Sequence, residues 1–149
     1  MVANGLVETR PLGLVLLGGA IGTAGREGLH LLMPADGGTP WSVFLVNIVG
    51  AALLGGLLAF LAAEETETPR RREVRLFVGT GILGGFTTYS ALATDTVLLA
   101  DSRPGLAITY AVASVVLGVL AAGIGFRIGR LFADRHADQH ADRARGGRA

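Results

Sequence analysis

Gly79-Thr80-Gly81-Ile82-Leu83-Gly84-Gly85-Phe86-Thr87-Thr88-Tyr89-Ser90 lies inside a window, Leu76 to Thr94, that holds no charged residue over 19 positions. A helix needs about 20 apolar residues to cross the hydrocarbon core of a bilayer, so this window has the length of a membrane span. Its middle is a poor helix. Gly84-Gly85 followed directly by Thr87-Thr88 predicts an interrupted helix at mid-span. Unwound backbone at that depth is tolerated only where it is buried in protein or faces a water-filled cavity. Such breaks offer carbonyls to cations and amides to anions. Gly79, Gly81 and Gly84 also fit a dinucleotide fingerprint, with Asp101 downstream, but that motif needs a strand–turn–helix unit, and the chain offers no sheet.

Working outward, three more windows lack charge: Pro11 to Gly25, Pro40 to Ala63 and Pro104 to Phe126, of 15, 24 and 23 residues. The first continues past Arg26 to Met33. Half of the 149 residues are hydrophobic and 17% are charged, against about 25% in soluble domains. The expected architecture is an all-α membrane protein of four transmembrane helices, Leu12–Met33, Trp41–Ala63, Leu76–Leu99 and Leu106–Phe126, with the third broken mid-span. Residues 1–130 would form the membrane domain and 131–149 a polar cytoplasmic tail. Trp41 falls where an interfacial aromatic anchor belongs. The first stretch is long and Gly-rich for a signal peptide, which favours a retained helix.

All 13 basic residues are Arg, and 11 of them fall on the side that four spans give to the N-terminus, the second loop and the tail. Arg26 and Arg103 fall on the other. Setting aside Arg143, Arg145 and Arg148 leaves 8 against 2. By the positive-inside rule both termini are expected in the cytoplasm of a multi-pass protein of the inner (plasma) membrane.

Glycine, 23 residues in all, is the dominant composition signal. In lipid, small residues let helix backbones approach closely. Gly18/Gly22, Ala51/Gly55/Ala59 and Ser114/Gly118/Ala122 form four-residue repeats and predict a smooth packing seam on each of three helices. Polar groups inside the spans are few, and each marks a candidate role. Arg26 either snorkels to the interface or lines a vestibule. Asn47 either ties helices together or lines a pore. Thr87, Thr88, Tyr89 and Ser90 supply donors around the break, and Tyr110 and Ser114, one turn apart, extend that donor track. Asp95 closes the third span.

No Cys is present, and no span holds a carboxylate pair, a His cluster or a Ser/His/Asp set, so hydrolysis and metal catalysis have no candidate residues. His136 and His140, beside Asp134 and Asp138, read as part of a solvated tail. Neutral hydroxyls, one amide and a single Arg suit a small anion that exchanges its hydration for hydrogen bonds and then leaves.

Three motifs carry a resemblance. Gly18-Gly19-Ala20-Ile21-Gly22-Thr23-Ala24-Gly25-Arg26 resembles a GGxxGxxxR opening. Val46-Asn47-Ile48-Val49-Gly50, after Pro40-Trp41, resembles a VNxxG motif, and Gly81 to Ser90 resembles a GxxGGxTTFSTF signature. Together they look like the Fluc/CrcB fluoride channels. The resemblance implies a passive fluoride-selective channel, not an enzyme, that exports F⁻ to relieve cytoplasmic toxicity. It implies an antiparallel dimer in membrane lipid, no nucleic-acid partner, and a structural sodium ion at the dimer centre held by backbone carbonyls of Gly84 and Thr87. Asn47 would match the pore asparagine and Arg26 the vestibule arginine, with Thr88, Tyr89, Ser90, Tyr110 and Ser114 along the fluoride path. The two Phe positions of the signature read Tyr89 and Leu92 here. That departure, with the Arg bias, favours a heterodimer with a sister subunit of opposite orientation over a homodimer. The competing classes are a four-helix proton-coupled multidrug carrier and a non-transporting membrane scaffold. The first needs a deep acid in helix one, where Glu8 and Glu27 lie only at the ends, and the second leaves the break unexplained.

Overall fold

The computed structural model describes residues 9–33, 40–63 and 68–146. All of its regular elements there are helical. α1 (Thr9–Leu32) and α2 (Trp41–Leu61) are followed by α3 (69–86), α4 (Tyr89–Ser102) and α5 (Pro104–Gly146). Of the loops expected at Pro34–Pro40 and Glu64–Arg75, residues 34–39 and 64–67 lie outside the described residues, as does the extreme tail at 147–149.

Three stretches are long and apolar enough to cross a membrane: Trp41–Leu61, Pro69–Ser102 and Pro104–Arg135. α1, with 24 residues, is not among them. Arg10, Arg26 and Glu27 dilute its apolar run, so among the described residues three of the four expected spans are met by length and composition. Helix lengths differ from expectation in two further places. α3 begins at Pro69, where the Thr68 side chain accepts the Arg71 N–H and Pro occupies the first turn, a favoured helix start. α5 runs 20 residues beyond Phe126, to Gly146. Ala, Arg and Gln are strong helix formers, and nothing between Leu131 and Arg145 breaks the helix. The His136 and His140 side chains lie outside what the structure describes.

The helices pack in two pairs, α1 on α3 and α2 on α5, with α4 lying along the first part of α5. Glycine makes both seams. An added Cβ at Gly18 or Gly22 would run into the α3 backbone at Phe77, Gly81 and Ile82, and one at Gly85 into the backbone of Gly19. On the other seam, Gly55 faces the Ala122 backbone, Gly125 that of Ala52, and Gly129 that of Gly56. Backbone contact this close is how helices associate in lipid, where apolar burial gives no net drive. Gly118, expected on the seam, meets nothing within 4 Å. The stripe on α5 is Ala122, Gly125 and Gly129 instead, further along the helix and rotated from the predicted one.

The third span breaks where the sequence says it should, but the interruption is short. From Arg75 to Leu83 the backbone is π-helical, then Gly84–Phe86 returns to α geometry. Thr87 (φ −80°, ψ 153°) and Thr88 (φ −151°, ψ 121°) are extended, and α4 starts anew at Tyr89. π segments occur often at functional sites, and no sequence signal predicted this one.

Candidate functional site

Two threonines govern the break. Thr87 ends α3: its N–H and its hydroxyl both donate to the Leu83 carbonyl, each at 2.9 Å. Thr88 opens α4 as an N-cap, its Oγ1 accepting the Ala91 N–H at 3.2 Å and lying 3.1 Å from Ser90 Oγ. The two sides of the break therefore differ in polarity. The C-terminal end of α3 brings carbonyl dipoles, and the N-terminal end of α4 brings amide donors.

α2 holds the break from one side. Asn47 Oδ1 accepts the Thr88 N–H at 2.8 Å, and Asn47 Nδ2 donates to the Thr88 carbonyl at 3.0 Å. One turn on, Gly50 faces the Thr87 methyl, and any side chain there would strike it. Val46, only 1% exposed, anchors this turn of α2. The VNxxG spacing thus has a physical reason, since Asn and Gly three apart meet consecutive threonines. From the other side, α1 contributes the Thr23 hydroxyl, which donates to the Gly85 carbonyl at 3.4 Å.

Among the carbonyls that lose their helical amides at the break are those of Gly84 and Thr87. In an unbroken helix the Thr88 N–H would close on the Gly84 carbonyl and the Ala91 N–H on that of Thr87. Here the first donor goes to Asn47 and the second to the Thr88 hydroxyl. The extended ψ of Thr87 also turns its carbonyl off the helix axis.

A cavity of about 410 Å³ opens beside the break. Arg26, Thr88 and Ser90 line it, together with Glu27, His30, Ser42, Thr94, Asp95 and apolar groups from α2 and α4. Arg26 thus lies on the same cavity as Thr88 and Ser90. Asn47 sits behind the lining, joined to it through Thr88. Tyr110 is 4% exposed within a cluster of Val43, Leu92, Leu99 and Ala107, and its hydroxyl donates to Asp95 at 3.5 Å. Ser114 is equally buried, and its Oγ has no hydrogen-bond partner. Tyr89 points the other way, 79% exposed on the surface of the single chain. Leu92, which stands where the signature has its second Phe, is a 7%-exposed core residue.

Two lining residues gave no signal in the sequence. Ser42, 3% exposed, meets His30 Nδ1 at 2.9 Å and ties the end of α1 to the start of α2. Their spacing of twelve, across a turn, follows no recognisable pattern. Asp95 was visible, but its pairing with Tyr110 requires the α4–α5 packing.

An interrupted membrane helix with donors on one side and released carbonyls on the other, beside an Arg-bearing vestibule, defines a small ion-handling membrane protein. Residues 13–126 match the model of the family described as CrcB-like protein, Camphor Resistance (CrcB), and the chain belongs to that family. It is 46% identical over 121 residues to the fluoride-specific ion channel FluC 2 of Leifsonia xyli subsp. xyli, covering 80% of this chain and 83% of that one. Against FluC 1 of Cutibacterium acnes it is 41% identical over 125 residues, with 81% and 87% covered. Against FluC of Thermus thermophilus it is 41% identical over 119 residues, with 78% and 92% covered.

Proposed function

We propose that the chain is a fluoride-selective channel subunit, not an enzyme, and that fluoride passes at the Thr87–Thr88 break. The observation that carries this reading is the polarity of the break. Amide and hydroxyl donors cluster at the start of α4 within a vestibule that Arg26 shares. The fluoride-specific names of relatives at 41–46% identity support the choice of anion.

The donor count fits a strongly hydrated ion. Thr88 and Ser90 use one hydroxyl proton between them, leaving the other for an anion. The second Nδ2 proton of Asn47 is not needed by Thr88, which takes one. The orphaned Ser114 hydroxyl, one turn from Tyr110, adds a further donor, because a buried polar group without a partner calls for an explanation. Tyr89 would reach the path only from a second subunit's side, in keeping with its exposure. Arg26 raises the local anion concentration. Export needs no coupling: HF enters from acid surroundings and dissociates inside, and an inside-negative potential drives F⁻ out by about 2.3 kcal/mol per 100 mV.

The released carbonyls of Gly84 and Thr87 fit a hard monovalent cation such as sodium, which takes oxygen ligands. When bound at the dimer centre, that ion would supply positive charge between two breaks. The full assembly in this reading has four membrane-crossing helices per subunit, α1 included, paired antiparallel with a second subunit in the inner membrane. The Arg distribution favours a sister chain of opposite orientation, because one strongly oriented sequence does not insert both ways. Deleting the gene in the organism that makes this chain should lower its tolerance to fluoride, most at acid pH, and the intact gene should restore it. Unchanged tolerance would remove the proposal.

A further inference from the structure

We infer that Asn47 is the positioning residue of the break, holding the third span open by standing in for a missing peptide group. The inference rests on the break being the ion path. Thr88 is the residue whose conformation departs most from helical, at φ −151° and ψ 121°. In extended geometry a residue's own N–H and C=O point to the same side, and in a sheet both are taken by one residue of the next strand. No strand is adjacent here. The Asn47 carboxamide offers an acceptor and a donor at peptide-like spacing, and it takes both groups at 2.8 and 3.0 Å. Thr88 is thus paired as if to a one-residue strand.

This pairing also decides which way the backbone goes. Without it, the helical partner of the Thr88 N–H is the Gly84 carbonyl, and closing that bond by returning Thr87 from ψ 153° to helical geometry restores the helix. Thr88 is buried, at 9% exposed, and a bare N–H there is costly, so removing the amide favours closure. Each alternative side chain fails for a stated reason. Asp has no donor when ionised, Ser and Thr are too short to meet both groups, and Gln places its amide one methylene further on. α2 supplies the rigidity, with Val46 fully buried and Gly50 against the Thr87 methyl. Rotating Thr87 away to admit a larger residue at 50 would break its hydroxyl bond to Leu83. Asn47 thereby sets the direction of its own second N–H and, through Thr88, the freedom of the Gly84 carbonyl.

The test uses the assembled protein with an isotope-labelled Gly84 carbonyl, read by infrared spectroscopy without sodium, alongside fluoride efflux from liposomes. Two changes are compared singly and together: Asn47→Ala, and a backbone ester at Thr88 that deletes its N–H, weakens the Thr87 carbonyl as an acceptor and keeps every side chain. In the unaltered protein the Gly84 band should lie at the frequency of a carbonyl without an amide partner. In Asn47→Ala it should move to the helix-bonded position, with efflux falling roughly tenfold or more, as expected for loss of a buried hydrogen-bond pair. The ester cannot close the helix, so its Gly84 band should stay put while efflux still falls. The doubly altered protein should conduct no worse than the poorer single one, because both changes remove the same pair. A Gly84 band unmoved in Asn47→Ala, or losses that add, would overturn the inference. If the unaltered protein carries no fluoride, the functional reading fails, and the infrared comparison still decides the role of Asn47.

Discussion

Asn47→Asp separates charge from geometry at the residue scale. The carboxylate would keep the acceptor for the Thr88 N–H, but it would set an oxygen against the Thr88 carbonyl where a donor stands now. Flux should be abolished and thermal stability should fall by about 1–3 kcal/mol. Full stability with zero flux would show that Asn47 acts on the ion alone. Ser114→Ala should do the opposite. Its hydroxyl is buried without a partner, so its loss should leave melting unchanged or raise it, while fluoride efflux drops. A stability loss would mean the hydroxyl serves the fold. The sequence made both residues conspicuous, because polar groups are rare inside apolar spans. It left open whether Asn47 ties helices or meets the ion. The hydrogen bonds show the tie, and they leave a proton for the second role.

At the scale of helices, the glycines divide into those that hold backbones together and those that do not. Gly125→Ala should destabilise the α2–α5 pair by about 1–3 kcal/mol, since its Cβ would collide with the Ala52 carbonyl. Gly118→Ala should be neutral or slightly stabilising, because open space surrounds it and Ala is the better helix former. Detergent melting curves of the two variants test the difference, and equal losses would contradict the assigned seam. Small-residue spacing announced that seams exist, and on α1 the Gly18/Gly22 pair was located correctly. On α5 the spacing was ambiguous, because Ser114/Gly118/Ala122 and Ala122/Gly125/Gly129 are both smooth. Only contact with Ala52 and Gly56 chooses between them. The break at Thr87–Thr88 was legible because Gly-Gly and Thr-Thr resist an apolar helix together. The π segment before it was not, since no residue pattern in Arg75–Leu83 marks it.

For the whole molecule, orientation and passage of fluoride remain to be joined. With arginines crowded toward one side, a reporter fused to the C-terminus should read cytoplasmic in nearly every copy. Equal labelling from both sides would instead support a dimer of identical subunits inserted in both directions. The charge pattern was fully readable from the sequence. The apolar character of α1 is weaker than the four-span reading assumed, because Arg10, Arg26 and Glu27 lie within the helix, and of the two readings kept open for Arg26 the cavity agrees with the second. The most direct test of fluoride passage is electrode-recorded efflux from liposomes holding the protein as isolated from native membranes, started by adding a potassium ionophore. Fluoride should leave rapidly while chloride stays inside. Retention of fluoride, or chloride leaving as fast, would contradict a fluoride path at the break.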